Sequence, residues 1–212
     1  KFRGRIGPDK DDQKSITILN RAVKWGNEGI SYECDQRHAD LIVSNLGLTG
    51  GNSRVTPGIK CDAPENSPAL SGGDRVMYRS NVAMGIYISQ DRPDISFAVK
   101  ELSRQQSCPA ESYFESLKRL GRYLIGPPRL VHMFSYQEAS PLVTYVDTNF
   151  AGCLRTRKST SGGIIMHGSN VIKHWSSTQS VIALSSGEAE YYGLVNGAVM
   201  SWELKPCART WE

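Results

Sequence analysis

The chain of 212 residues is long enough for one large domain or two small ones, and a composition of 39% hydrophobic and 22% charged residues suits a globular protein with a core to bury. No apolar run approaches the ~18 residues that a membrane-spanning helix requires, and the amino terminus lacks the apolar segment of a signal peptide. The net charge of +4 is too small to argue for nucleic acid by itself, and five scattered cysteines without a CxxC spacing support neither a disulfide framework nor a zinc cluster.

In chain order, the β-branched run Ile16 to Trp25, the turn-forming Gly26-Asn27-Glu28-Gly29 and the short run Ile30 to Glu33 predict a hairpin. Asp35 then reads as the N-cap of a helix carrying Ala39, Ile42, Val43 and Leu46, with Gly47 as its stop. Residues 49–73, rich in Gly, Pro, Ser and Asn, form a linker. Three helices are expected next. One runs from about Arg75 to Ser89, and one starts near Pro93 and buries Ile95, Ala98, Val99 and Leu102. The third follows Pro109, with Tyr113, Leu117, Leu120 and Leu124 on one stripe and Lys118, Arg119 and Arg122 on another face. Gly126-Pro127-Pro128 ends it.

From Leu142 the hydrophobic period changes to that of strands. Leu142 to Val146 alternates toward Asp147, and Gly163 to His167 and Val171 to Trp175 flank a turn at Gly168-Ser169-Asn170. Ser185 and Glu188 form a capping box that opens a helix running past Met200, which Pro206 is expected to break. Strands followed by a helix give an α/β (α+β) class rather than an all-β one.

Charge is distributed unevenly. The forty residues from Thr148 to Gly187 hold no acid but include Arg155, Arg157, Lys158 and Lys173, and Asp147, Glu188 and Glu190 bound them. Such a pattern fits phosphate binding beside a carboxylate cluster, or equally a solvated face that lacks acids. Asp147 and Glu190, on different rigid elements, could converge on hard cations, but strand-end and first-turn acids also serve turns and helix dipoles. Cys34 and His38, four apart, have no second ligand pair to complete a metal site. His132, His167 and His174 show no arrangement with a nucleophile, and capping accounts for Ser185.

Several ordered motifs decide between these readings. Tyr145-Val146-Asp147-Thr148-Asn149-Phe150-Ala151-Gly152, Arg157-Lys158-Ser159-Thr160-Ser161-Gly162 and Ala183-Leu184-Ser185-Ser186-Gly187-Glu188-Ala189-Glu190-Tyr191 resemble, in order, the ribonuclease H signatures of copia-type retrotransposon Pol polyproteins. Tyr78-Arg79-Ser80, Arg92-Pro93-Asp94-Ile95, Leu102-Ser103-Arg104 and Lys118 to Leu124 are similar to the segment joining polymerase to nuclease. The resemblance implies a reverse-transcriptase tail over 1–48, a linker over 49–73, a helical thumb or connection segment over 74–136, and the first half of a ribonuclease H-like domain over 140–212, a three-stranded sheet plus its first helix.

By the same resemblance, Asp147 and Glu190 are the catalytic and Mg2+-binding carboxylates for hydrolysis of the RNA strand of RNA–DNA hybrids. Arg155, Arg157, Lys158, Ser159, Lys118, Arg119 and Arg122 are candidates for nucleic-acid contact. The remaining Pol polyprotein is an implied partner, in an intracellular setting, a cytoplasmic retrotransposon particle with a nuclear origin as the alternative. Glu188, about 200° around the helix from Glu190, is assigned to the cap. The sequence departs from the family at Asn149 and Phe150, where it has Asp and Trp. It also lacks the polymerase YxDD motif and the two later nuclease aspartates, and it begins with Lys. A fragment inactive on its own is therefore expected, with a degenerate product or a non-catalytic hybrid-binding remnant as alternatives.

Overall fold

A computed structural model describes residues 5–59, 67–138, 140–153 and 155–208, the last four by their backbone alone. The chain divides into two compact units, one of residues 1–26 and 31–132, the other of residues 27–30 and 133–212. The architecture is mixed α/β, with two antiparallel sheets and five helices among the described residues. Among the described residues, no helix is long and apolar enough to cross a membrane.

The run Ile16 to Trp25 is two strands, β1 (Ser15–Ile18) and β2 (Arg21–Trp25), not one. Leu19 and Asn20 turn the chain at φ 52° and 61°, a turn whose twist matches the flanking strands. Pattern reading misses it because the turn lacks glycine. β3 (Gly29–Glu33) follows, and the first sheet has the order β1-β2-β3-β4, where β4 is Val131–Ser135. β4 adds a strand after the helices of the segment 74–136, where none was expected. It is five residues long, too short for its alternation to stand out after two prolines.

Helix α1 (Arg37–Asn45) starts one residue later than expected, with Gln36 rather than Asp35 at its N-cap; the Asp35 carboxylate accepts the Arg37 N–H at 3.0 Å and meets His38 Nδ1 at 2.8 Å. Its end is marked by Gly47 at φ 65°. Part of the expected linker, residues 60–66, lies outside the described residues. Helices α2 (Gly72–Ser89), α3 (Pro93–Ser103) and α4 (Glu111–Ile125) then form the core of the first unit with α1. Ile42, Tyr78, Val82, Ile88, Ile95, Val99, Leu102, Leu117, Leu120 and Leu124 meet there. Each such side chain stabilises the fold by on the order of 1.5–3 kcal/mol.

A buried cation ties α3 to the end of α4. Arg92, only 2% exposed, donates to both oxygens of Asp94 at 3.2 and 2.6 Å and to the Pro127 carbonyl at 2.8 Å. The Tyr123 hydroxyl donates to Asp94 at 2.9 Å. Burial by itself raises the Asp94 carboxyl, but the Arg92 hydrogen bonds and charge, with Tyr123, outweigh it and hold the group below its ordinary value.

The second unit holds β5 (Leu142–Asn149), β6 (Thr160–His167), β7 (Asn170–Thr178) and α5 (Ser186–Ala208), with sheet order β5-β6-β7. β6 and β7 both extend beyond the expected strands, and the turn between them falls at Gly168, φ 55°. α5 continues through Pro206, contrary to expectation. The proline falls within the last turn, where the loss of one backbone donor ends little helix.

Because Asp94 is depressed in the folded state, its contribution is present above the ordinary carboxylate value of about 4 and is lost as pH falls through its lower folded value. Asp94→Asn is therefore expected to lower the melting temperature at pH 7 and to close the gap to the parent as pH drops below about 4. A gap that stays constant from pH 7 to pH 2 would contradict this.

Candidate active site

Strand alternation decides where Asp147 points. In β5 the half-buried Leu142, Thr144, Val146 and Thr148 alternate with the exposed Val143, Tyr145, Asp147 and Asn149. Helix α5 packs on the first of these faces through small residues four apart: Ala189, Gly193, Gly197 and Ser201. A Cβ at Gly193 would lie 2.6 Å from Thr148 Oγ1, and one at Gly197 would lie 2.6 Å from Val146 Cγ2. The Thr144 and Ser201 hydroxyls hydrogen-bond across the same contact.

Asp147 thus immediately precedes the residue that touches Gly193, and Glu190 lies three residues before Gly193 on α5. Residues three apart share a helix face, so Glu190 sits on the side of α5 turned toward the Thr148 end of β5. Asp147 faces the other side of the strand. β5 is an edge strand, and among the described residues nothing pairs its outer edge. Opposite Asp147 on β6 is Gly162, which adds no side chain beside the carboxylate.

The capping box forms as expected. The Glu188 N–H donates to Ser185 Oγ at 3.1 Å, and Glu188 Oε2 accepts the Leu184 N–H at 2.7 Å. Glu188 is thereby occupied, leaving Glu190 as the available acid of this helix start. Among the described residues no group of three or more His, Cys, Asp or Glu could hold a metal ion. Cys34 and His38 do not pair either. The Cys34 thiol donates to the Asp91 carbonyl at 3.3 Å, and burial, with the nearby Asp91 charge, pushes it up to about 11, away from the thiolate a metal needs.

The segment 153–158 is closed by the Cys153 N–H donating to the Lys158 carbonyl at 3.1 Å and the Arg157 N–H donating to the Cys153 carbonyl at 2.7 Å. It leaves Arg155 and Arg157 exposed, while Lys158 Nζ donates to the Ser180 carbonyl. Ser159 is fully buried, and its hydroxyl accepts the Ala151 N–H at 3.0 Å, so as placed it holds the turn after β5 rather than presenting a surface. Ala151 sits at φ 49°, and the Asn149 side chain lies over Gly152. In the first unit Lys118 is paired with Glu115 at 2.7 Å and Arg119 donates to Thr56 Oγ1 at 2.7 Å. Arg122 has no protein partner among the described residues.

One residue that sets this geometry escapes sequence reading. Gln179, 8% exposed, donates through Nε2 to Ser161 Oγ and to the Ala189 carbonyl, both at 2.8 Å, and its N–H donates to the Ser159 carbonyl at 2.9 Å. It ties the end of β7 to β6 and to the first turn of α5, one residue from Glu190. A lone Gln after a strand carries no pattern that would reveal it. Gln179→Leu strands the Ser161 hydroxyl and the Ala189 carbonyl but also removes a buried Oε1 without a partner, and is expected to cost about 1–3 kcal/mol in chemical unfolding; a loss below about 0.5 kcal/mol would contradict the role assigned to it.

Comparison with known proteins places this geometry. The chain is 30% identical over 188 residues to an uncharacterized mitochondrial protein of Arabidopsis thaliana, a match covering 87% of this chain and 77% of the other. It is 35% identical over 145 residues to the retrovirus-related Pol polyprotein from transposon RE1 of the same plant, covering 66% of this chain and 10% of the polyprotein. With the Pol polyprotein from transposon RE2, also of Arabidopsis thaliana, it shares 34% identity over 123 residues, 58% of this chain and 8% of the relative. It therefore spans about a tenth of the length of these polyproteins. No protein-family model matches the chain, and no solved structure matches it. Taken with the ordered motifs around Asp147 and Glu190, these relatives show that the chain belongs to the retrovirus-related Pol polyproteins of copia-type transposons.

Proposed function

We propose that this segment carries part of the ribonuclease H function of a Pol polyprotein, with Asp147 and Glu190 as two of the carboxylates that serve hydrolysis of the RNA strand in RNA–DNA hybrids. The observation that supports the reading is one helix–strand contact, Thr148 against Gly193, which Asp147 precedes by one residue and Glu190 by three, beside an edge of β5 that nothing pairs among the described residues. Two groups on opposite faces of an edge strand can address a common point beyond that edge, and the surrounding motifs are those of the family's nuclease. On this reading β5–β7 and α5 are the opening of a ribonuclease H-like fold, and residues 74–136 are the connection that precedes it.

The donor set fits Mg2+ in kind, since both residues offer hard carboxylate oxygens and both are accessible. Bound there, magnesium would supply charge neutralisation at the scissile phosphate. The chain's own contribution is to hold the two carboxylates on rigid elements, Asp147 through the β5–β6 register and Glu190 through the cap and Gln179. Arg155 and Arg157, exposed on the closed loop after β5, supply positive charge for the hybrid backbone, which is recognised by shape and by 2′-hydroxyls rather than by base sequence. Two carboxylates leave two ions under-coordinated. That observation favours, as the second reading, a segment that binds the hybrid and cleaves it only with acids supplied from elsewhere in the polyprotein.

The test is cleavage of a labelled RNA–DNA hybrid in Mg2+. This chain alone is expected to bind the hybrid in a salt-dependent way and to cleave none of it. A full-length Pol polyprotein carrying this segment is expected to cleave the RNA strand, and Asp147→Asn or Glu190→Gln to slow it about 10²–10³-fold, the scale of losing one charge-stabilising group. Cleavage that survives Asp147→Asn undiminished, or a preference for the DNA strand, would sink the reading.

A further inference from the structure

Among the described residues, Arg122 is the one member of the basic face of α4 whose side chain has no protein partner, and it does not stand alone. It lines an open cavity of about 370 Å³ together with Gly47, Leu48, Thr49, Gly51, Asn52 and Arg54. No acid lines this cavity, and among the described residues Arg54 also has no partner for its guanidinium.

The loop 47–54 is built rather than loose. Leu46 and Leu48 pack into the notch left by Gly121 of α4, where an added Cβ would lie 3.0 and 2.7 Å from their Cδ1 atoms. The Arg54 N–H donates to the Arg122 carbonyl at 3.2 Å, which holds the backbones of the two arginines together. Gly47 and Gly50, at φ 65° and 74°, let the backbone double back between them. The Gly51 N–H is used by the Leu48 carbonyl at 2.9 Å, but among the described residues the N–H groups of Thr49 and Asn52 have no acceptor. Two unpaired guanidinium forks, with the side-chain amide of Asn52 and main-chain donors from a glycine-rich turn, form a cationic pocket without an acid, whose natural complement is a tetrahedral oxyanion.

We propose that this cavity binds a phosphate group through Arg54, Arg122 and the backbone of residues 49–52. The phosphate comes from a nucleic-acid backbone or from a free phosphate. The hybrid as its source rests on the function proposed above; the anion site does not.

The full chain, labelled with 15N, is titrated with inorganic phosphate and, at matched ionic strength, with chloride. The expected result is phosphate-specific shifts at the Thr49 and Asn52 amides and the Arg54 and Arg122 Nε signals, absent with chloride. No difference between phosphate and chloride would overturn the site, whether or not any variant folds. In a second arm, a short RNA–DNA hybrid is bound at several salt concentrations by the parent and by Arg54→Gln/Arg122→Gln. Both side chains are solvent-accessible, and an unchanged melting temperature verifies the fold. Holding one backbone phosphate predicts a roughly tenfold loss of affinity and a salt slope shallower by about one. Phosphate shifts with an unchanged hybrid slope would keep the site and overturn the hybrid as its source. Phosphate shifts with no hybrid binding by the parent would sustain the site while refuting the proposed function.

Discussion

The second unit depends on the close approach of α5 to β5. Ala189, Gly193, Gly197 and Ser201 give that helix a face with almost no side chains, and Thr144, Val146 and Thr148 fill the space directly against it. Any larger residue at Gly193 would meet Thr148 at once, and the helix would have to lift from the strand. The contact sets more than stability. Asp147 is next to Thr148, and Glu190 is a turn from Gly193, so the backbone positions of both acids depend on this contact.

Polar groups buried beside these contacts fix the ends of the helices. Gln179 ties the first turn of α5 to the sheet, and Arg92 ties the start of α3 to the carbonyl beyond α4. Apolar packing alone tolerates sliding, because one methyl group replaces another at little cost. A buried hydrogen-bonding group tolerates less, since displacement leaves it unsatisfied at about 1–3 kcal/mol. Both residues therefore act as register pins, one in each unit.

The helices were largely legible in the sequence, for physical reasons. Helix α4 announces itself because Leu117, Leu120 and Leu124 must share one face to reach the core, and the α5 start because Ser185 and Glu188 satisfy orphan N–H groups at a fixed spacing. Asp147 and Glu190 stand out through their flanking motifs rather than through their spacing. What stayed hidden depends on partners distant in sequence or on unusual turn chemistry. The β1–β2 turn rests on Leu19 and Asn20 rather than on Asn-Gly. β4 is too short to show alternation by itself. The loop 47–54 reads as linker until Gly121 of α4 is seen to receive Leu48. Gln179 has no local signal at all.

The central proposal is that Asp147 and Glu190 serve one divalent-ion site. Titrating Mn2+ into the 15N-labelled chain and following paramagnetic broadening tests it directly. The account predicts that the amides around Asp147 and Glu190 broaden together, with one midpoint, and that Asp147→Asn abolishes the effect at both places. Broadening with separate midpoints, or broadening around Glu190 that persists in Asp147→Asn, would contradict it.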